Sequence, residues 1–215
     1  MAGGKETPRQ KMIGILYLVL LGLVALNVSD SILEAFKNLT DSLNASTQNV
    51  QIGVDATYAS FEATKLKNEP ERARPIYEKA KKASSYTSEL NTYVEGLQKL
   101  FESEGGGYNE STGDISKRDN LDISSRLMIN ELRGVELKKK INDTRQKLIA
   151  LIDEKDRKNV SFSLEAKDPP SRAGVQKSWE QINFGDGIPL TAALTALAKI
   201  KADTKDSLPF CILIP

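Results

Sequence analysis

The side chains that most often carry chemistry are scarce in this chain. Its 215 residues include no histidine and a single cysteine, Cys211, which removes the commonest general base and metal ligand and leaves no thiolate pair. Serines are plentiful, but a serine nucleophile needs a base and a third group to orient that base, and no such trio can be composed. Gly105, Gly106 and Gly107 are preceded by no strand pattern and followed by no Gly-Lys-Ser/Thr, so they do not read as a phosphate loop. They read as the flexible part of an exposed loop over residues 103–120. Thirty basic residues against 29 acidic ones leave a formal net charge of +1, which provides no electrostatic footprint for nucleic acid. The expectation is a protein that is not an enzyme, holds no cofactor or metal, and binds no nucleic acid.

One charge stands apart. Arg9 stands just upstream of MIGILYLVLLGLVALNV (12–28), a run without any charge, with Gln10 and Lys11 between. Thr7, Pro8 and Gln10 read as a helix start, with Thr7 as N-cap, Pro8 at the first helical position and Gln10 completing a Thr-x-x-Gln capping box. Arg9 then lies in a first helical turn, where the helix dipole disfavours a cation. Two readings account for it: topogenic charge that reaches the headgroups, or an ion pair with an intramembrane carboxylate of a partner.

The run suits a helix that crosses a bilayer once, at the short end of the usual range. Lys5, Arg9 and Lys11 precede it and Asp30 and Glu34 follow it, which places the N-terminus in the cytoplasm. The rival reading is a cleaved signal peptide, but no small-x-small site follows and the helical period continues past the run. Gly14, Leu18, Gly22, Ala25 and Ser29 fall on one stripe at steps of four and three, where another helix could approach closely. Tyr17 and Asn27 are secondary candidates for packing within the membrane. No proline occurs between Pro8 and Pro70, so the membrane helix is expected to continue outward as one rod of roughly 60 residues and 90 Å, with Gly53 as its weak point.

Beyond it the pattern is helical. Phe36, Leu39, Leu43, Val50, Val54, Thr57 and Phe61 recur near the helical period, and Asn68, Glu69 and Pro70 close one helix and open the next. Ile76, Ala80, Ala83, Thr87, Leu90, Val94, Leu97 and Phe101 advance by alternating fours and threes, the seam of helices packed at a shallow angle. A third helix is expected over residues 121–158, a short strand at Val160, Phe162 and Leu164, and a last helix after Pro189 through Leu190, Leu194, Leu197 and Ile200. Trp179 is expected to plug a point where helices meet. The fold class is therefore mainly α: a single transmembrane helix continuing into an antiparallel helical bundle. Its segments are a cytoplasmic 1–11, a membrane helix 12–29, a bundle 30–206, and 207–215, SLPFCILIP, read as an appended tail of vector origin following a truncation.

The opening MAGGKETPRQKMIGILYLVLLGLVALNVS, with PRQKM at 8–12 and ALNVS at 25–29, resembles the N-terminus of the GldM/PorM family of gliding-motility and type IX secretion motor subunits. ELRGVELKKKIN (131–142) and PLTAALTALAKIKAD (189–203) are similar to helices of that family's first periplasmic domain. The resemblance implies an inner-membrane motor powered by the proton motive force, with a periplasmic bundle. It implies a homodimer whose membrane helices stand inside a ring of five two-span GldL/PorL-type subunits, surrounded by inner-membrane lipid. Contacts to outer-membrane-associated secretion components would run through further domains that this sequence does not contain. Under that resemblance Arg9 becomes the partner of ring carboxylates, and Tyr17 a hydrogen-bonding residue lining the contact. A passive membrane-anchored scaffold or a ligand-sensing bundle is the alternative from the residues alone.

Overall fold

The computed structural model describes residues 8–26, 29–111, 113–157, 160, 162–171, 174 and 176–208. It is mainly helical. Helix α1 (Pro8–Leu26) is followed by α2 (Asp30–Phe61), which ends in a π-helical turn, Glu62–Leu66. Pro70, at the first position of α3 (Pro70–Glu104), starts the return path. A small hairpin pairs β1 (Tyr108–Asn109) with β2 (Asp114–Ile115) in antiparallel register, Tyr108 opposite Ile115 and Asn109 opposite Asp114. Then come the one-turn α4 (Ile123–Ser125), a π turn (Arg126–Asn130), α5 (Arg133–Leu151), the short α6 (Trp179–Phe184) and α7 (Leu190–Asp206).

Helix α7 is the centre of the bundle. It packs most extensively on α2, next on α3, and α3 in turn carries α5. The sequence of α7 permits this, because Leu190, Leu197 and Ile200 fill space while Ala193, Ala198 and Ala202 let neighbours approach closely, and all six are buried. Its buried threonines are hydrogen-bonded. Thr195 Oγ1 shares a hydrogen bond with Thr40 Oγ1 at 2.8 Å and reaches the carbonyl of Phe36 at 3.1 Å, and Thr204 donates to Ile200 O at 2.6 Å. The pairings Thr40 with Thr195 and Gln51 with Lys205 make α2 and α7 parallel, so the bundle is mixed rather than wholly antiparallel. Lys201 pairs with Glu95 at 2.6 Å while Leu190 lies against Gly105 at the end of α3, so α3 runs antiparallel to α7. The α3 stripe behaves as its period indicates: Ala80, Ala83, Thr87, Leu90, Val94, Leu97 and Phe101 are all buried.

Several sequence expectations are corrected. The long rod is interrupted: α1 ends at Leu26, and Ser29 is extended (φ −61°, ψ 135°) where α2 begins. Gly53 is no break, since it lies inside α2. Leu39 faces outward with 49% exposure. The third helix is divided, because Leu132 adopts the left-handed conformation (φ 58°) between the π turn and α5. A Cβ on Gly134 would stand 2.8 Å from Met128 O and 2.9 Å from Glu180 Cβ, so this glycine permits the close return of the chain.

The glycines 105–107 are structural. Gly106 and Gly107 have φ of 86° and 75°, and a Cβ on Gly105 would lie 2.6 Å from Ile115 and 2.7 Å from Leu190. Phe162, Leu164 and Ala166 are buried and alternate as a strand would, but among the described residues the only β pairing is the hairpin. The partner is a side chain: Asn142 donates to Ala166 O at 2.9 Å and accepts from Ala166 N at 3.2 Å, satisfying the backbone as a neighbouring strand would. Trp179 is half-buried, edge-on to the fully buried Phe184 at 5.8 Å.

The tail boundary also moves. Ser207 and Leu208 are each 1% exposed, and Leu208 belongs to the main hydrophobic cluster, so both are part of the folded domain; residues 209–215 lie outside the described residues. Truncating Leu208 to alanine should cost about 2–4 kcal/mol of unfolding free energy, the ordinary cost of emptying a core leucine site. Chemical denaturation of the two proteins measures this, and equal stabilities would return Leu208 to the tail.

Candidate transmission site

Helix α1 carries the residues singled out for partner binding. Arg9 and Gln10 follow Pro8, the first helical residue, and Arg9 is exposed. Thr7 and Asn27 lie outside the described residues, so the proposed cap and the outer-boundary contact have no structural account. Gly22 and Ala25 are within α1, but the description does not extend to side chains over 21–28. Around the described part of the stripe there is open space: nothing approaches a Cβ on Gly14 within 4 Å, and Tyr17 and Leu18 are 68% and 74% exposed.

That exposure is not confined to one face. Met12, Ile13, Ile15, Leu16, Val19 and Leu20 are exposed as well, and no element of the bundle packs extensively on α1. Covering one such side chain is worth about 1.5–3 kcal/mol, so a helix apolar on every side needs a partner or lipid around it. Among the described residues, no helix is long and apolar enough to cross a membrane. The uncharged run continues in the sequence through Val28, beyond the last described side chain.

Where α1 gives way to α2, charge takes over from apolar packing. The Ser29 carbonyl accepts from Ile32 N at 2.9 Å and Leu33 N at 3.2 Å, starting α2, and Leu33 is fully buried. Asp30 and Glu34 then face Arg118 from successive turns. The guanidinium donates to Asp30 Oδ1 at 3.1 Å and to Asp114 Oδ2 at 3.0 Å, with Glu34 Oε2 at 3.5 Å. Asp114 is the buried member, its side chain 7% exposed against 28% for Arg118 and 90% for Asp30. The hydrogen bond that Arg118 donates to Asp114 is the main reason the Arg118 pKa is raised above its ordinary value.

The backbone of the same loop engages α7. Arg118 O accepts from Thr191 N at 3.2 Å and from Thr191 Oγ1 at 2.7 Å, and Asn120 O accepts from Leu190 N at 2.9 Å. Two otherwise orphaned amides at the start of α7 are thereby satisfied. One five-residue loop, 116–120, thus ties the first turns of α2 to the first turn of the central helix.

The GldM N-terminal domain model matches residues 31–207. The chain belongs to the GldM family. The match begins in the first turn of α2 and ends beside Leu208, so the family domain coincides with the bundle α2–α7, and α1 precedes it. Membership marks the chain as a component of the gliding-motility and type IX secretion machinery, in a family of structural secretion subunits associated with the inner membrane and not known as enzymes. No curated protein matches the chain.

Sequence reasoning missed Arg118. It lies in a stretch without hydrophobic period, and its partners Asp30 and Glu34 are distant in sequence. The one local signal is the i, i+4 spacing of Asp114 and Arg118. In this GldM-family domain, Arg118→Ala should cost about 2 kcal/mol, because it leaves Asp114 unpaired in a largely buried place, whereas Asp30→Ala should cost under about 1 kcal/mol. Denaturation midpoints of the two variants test the ranking; equal costs would show that the network is only a surface feature.

Proposed function

We propose that this GldM-family chain is the central-shaft subunit of an inner-membrane motor driven by the proton motive force, carrying motion from the membrane to the periplasm for protein secretion and gliding. The observation that carries the reading is the surface of α1, apolar on every described side and largely uncovered by its own domain. Helix α1 crosses the inner membrane once with the N-terminus in the cytoplasm, and the bundle is periplasmic. Two copies stand inside a ring of five two-span GldL-type subunits. Ring carboxylates that gain and lose protons compete for Arg9, because an ion pair in low dielectric is strong and disappears on protonation.

Ser29 then acts as an elbow, and the Arg118 loop passes the movement of α2 to α7. Pairing of two copies has support in the outward face of α2. Ala35, Leu39, Ser42, Ser46, Asn49 and Gly53 follow alternating steps of four and three, carry no charge and are all exposed. Small uncharged side chains at that spacing let two helices approach closely.

In cells, Arg9→Ala should abolish gliding and secretion while the protein still accumulates and co-purifies with its two-span partner, and Arg9→Lys should retain part of both. Normal movement and secretion with an assembled Arg9→Ala protein would leave Arg9 as a topological anchor. For the pairing, a Ser46→Cys protein in a Cys211→Ser background should give a disulfide-linked dimer in membranes under mild oxidation. A chain that stays monomeric there, while a cysteine elsewhere on the bundle cross-links, would place the dimer contact on another face.

A further inference from the structure

Helices α2 and α3 meet through the turn that joins them and diverge toward the hairpin, with α7 as the floor between them. The divergence leaves a cleft of about 480 Å³, walled by α2 and α3 and closed at one end by the hairpin. Its lining is unusual for a gap between helices. Only Ile115 and Leu194 are large aliphatic residues; Asn44, Gln48, Gln51 and Gln98 bring four carboxamides to it. On α2 the same helix that presents Val54 and Tyr58 to the core presents Asp41, Asn44, Gln48 and Gln51 to the cleft.

The two ends of the cleft differ in charge. At the hairpin end, Asp41, Glu102 and Asp114 surround Tyr108, and burial together with these three carboxylates raises the phenol pKa; Lys37 stands at the same end and Asp114 is held by Arg118, which leaves Asp41 and Glu102 as the carboxylates turned to the cleft. At the other end stand Lys201 and Lys205. Lys201 is ion-paired with Glu95. Lys205 is half-buried and hydrogen-bonds to the Gln51 carboxamide oxygen, a neutral acceptor, with Asp55 and Glu95 acting on it only through space. Burial outweighs them and lowers its pKa.

We propose that this cleft binds a short zwitterionic peptide in extended form, its α-ammonium between Asp41 and Glu102 and its terminal carboxylate on Lys205. The ten-residue separation of Asp41 and Gln51 on α2 is about 15 Å, the length of an extended peptide of roughly four to five residues. Gln51 is engaged by Asp55 and Lys205, but Asn44, Gln48 and Gln98 each offer both a donor and an acceptor, which is what peptide N–H and C=O groups between the two ends require. A neutral sugar would use the amides but leave both charged ends uncompensated, and a simple anion would meet the lysines but leave Asp41 and Glu102 uncompensated. The inference is independent of the motor reading and needs no membrane partner.

The test is calorimetric titration of the full chain in detergent with tetra-alanine bearing free termini. Binding is expected in the micromolar to millimolar range, and acetylating the N-terminus or amidating the C-terminus should each weaken it about tenfold or more, the value of one charge-assisted contact. Lys205→Met should weaken the free peptide about tenfold and leave the C-terminal amide unchanged, with its melting temperature reporting that the variant is folded. No heat at about 5 mM peptide would overturn the proposal. So would equal affinity for the doubly capped peptide, or tighter binding of maltotriose or inorganic phosphate than of the peptide.

Discussion

Everything outside α1 depends on one helix being buried from several sides. Helix α7 is last in the folded order and central in space, and α2 and α3 are held together along much of their length only through it. Its composition explains how a helix can sit there. Leucines supply the apolar area, alanines supply close approach, and each buried threonine returns its hydroxyl to a carbonyl of its own helix, of α2 or of the 116–120 loop. A core built around this helix is incomplete without it, which places Leu208 and the α7 leucines at its centre.

The end of the bundle next to α1 obeys a different constraint. There the chain passes from a helix with no charge over residues 12–20 to one that starts with Asp30 and Glu34, and the change of character coincides with the extended Ser29. The Arg118 loop gives this end a defined connection by holding α2 and α7 together at their first turns.

What could be seen in the sequence was whatever repeats. The α3 stripe from Ala80 to Phe101 and the start of α7 at Pro189 follow directly from helical period and proline chemistry. Single-residue events were hidden. Ser29 and Leu132 are backbone conformations of single residues, with no period to announce them, and the paired contacts of Asn142 with Ala166 join residues 24 apart. The alternation of Phe162, Leu164 and Ala166 is a real burial pattern, but an alternating chain can be satisfied by one carboxamide as well as by a strand. Arg118 and the cleft illustrate the same limit on the functional side. The polar side of α2, rich in Asn, Ser and Thr, reads in sequence only as a run of mediocre helix formers, and the path of α3 and α7 turns part of that side into the wall of a cavity.

The parallel course of α2 and α7 has a mechanical meaning. The chain enters the bundle at Asp30 and α7 ends alongside Gln51, roughly 30 Å higher on α2. Two parallel helices drawn apart from opposite ends slide along their shared interface. Force applied between those two ends would be carried in shear, by all of the contacts along the seam at once, and would not be concentrated on one pair at a time as it would be if the helices were peeled apart. A domain wired in this way is stiff along the line that joins its two ends and yields more easily across it.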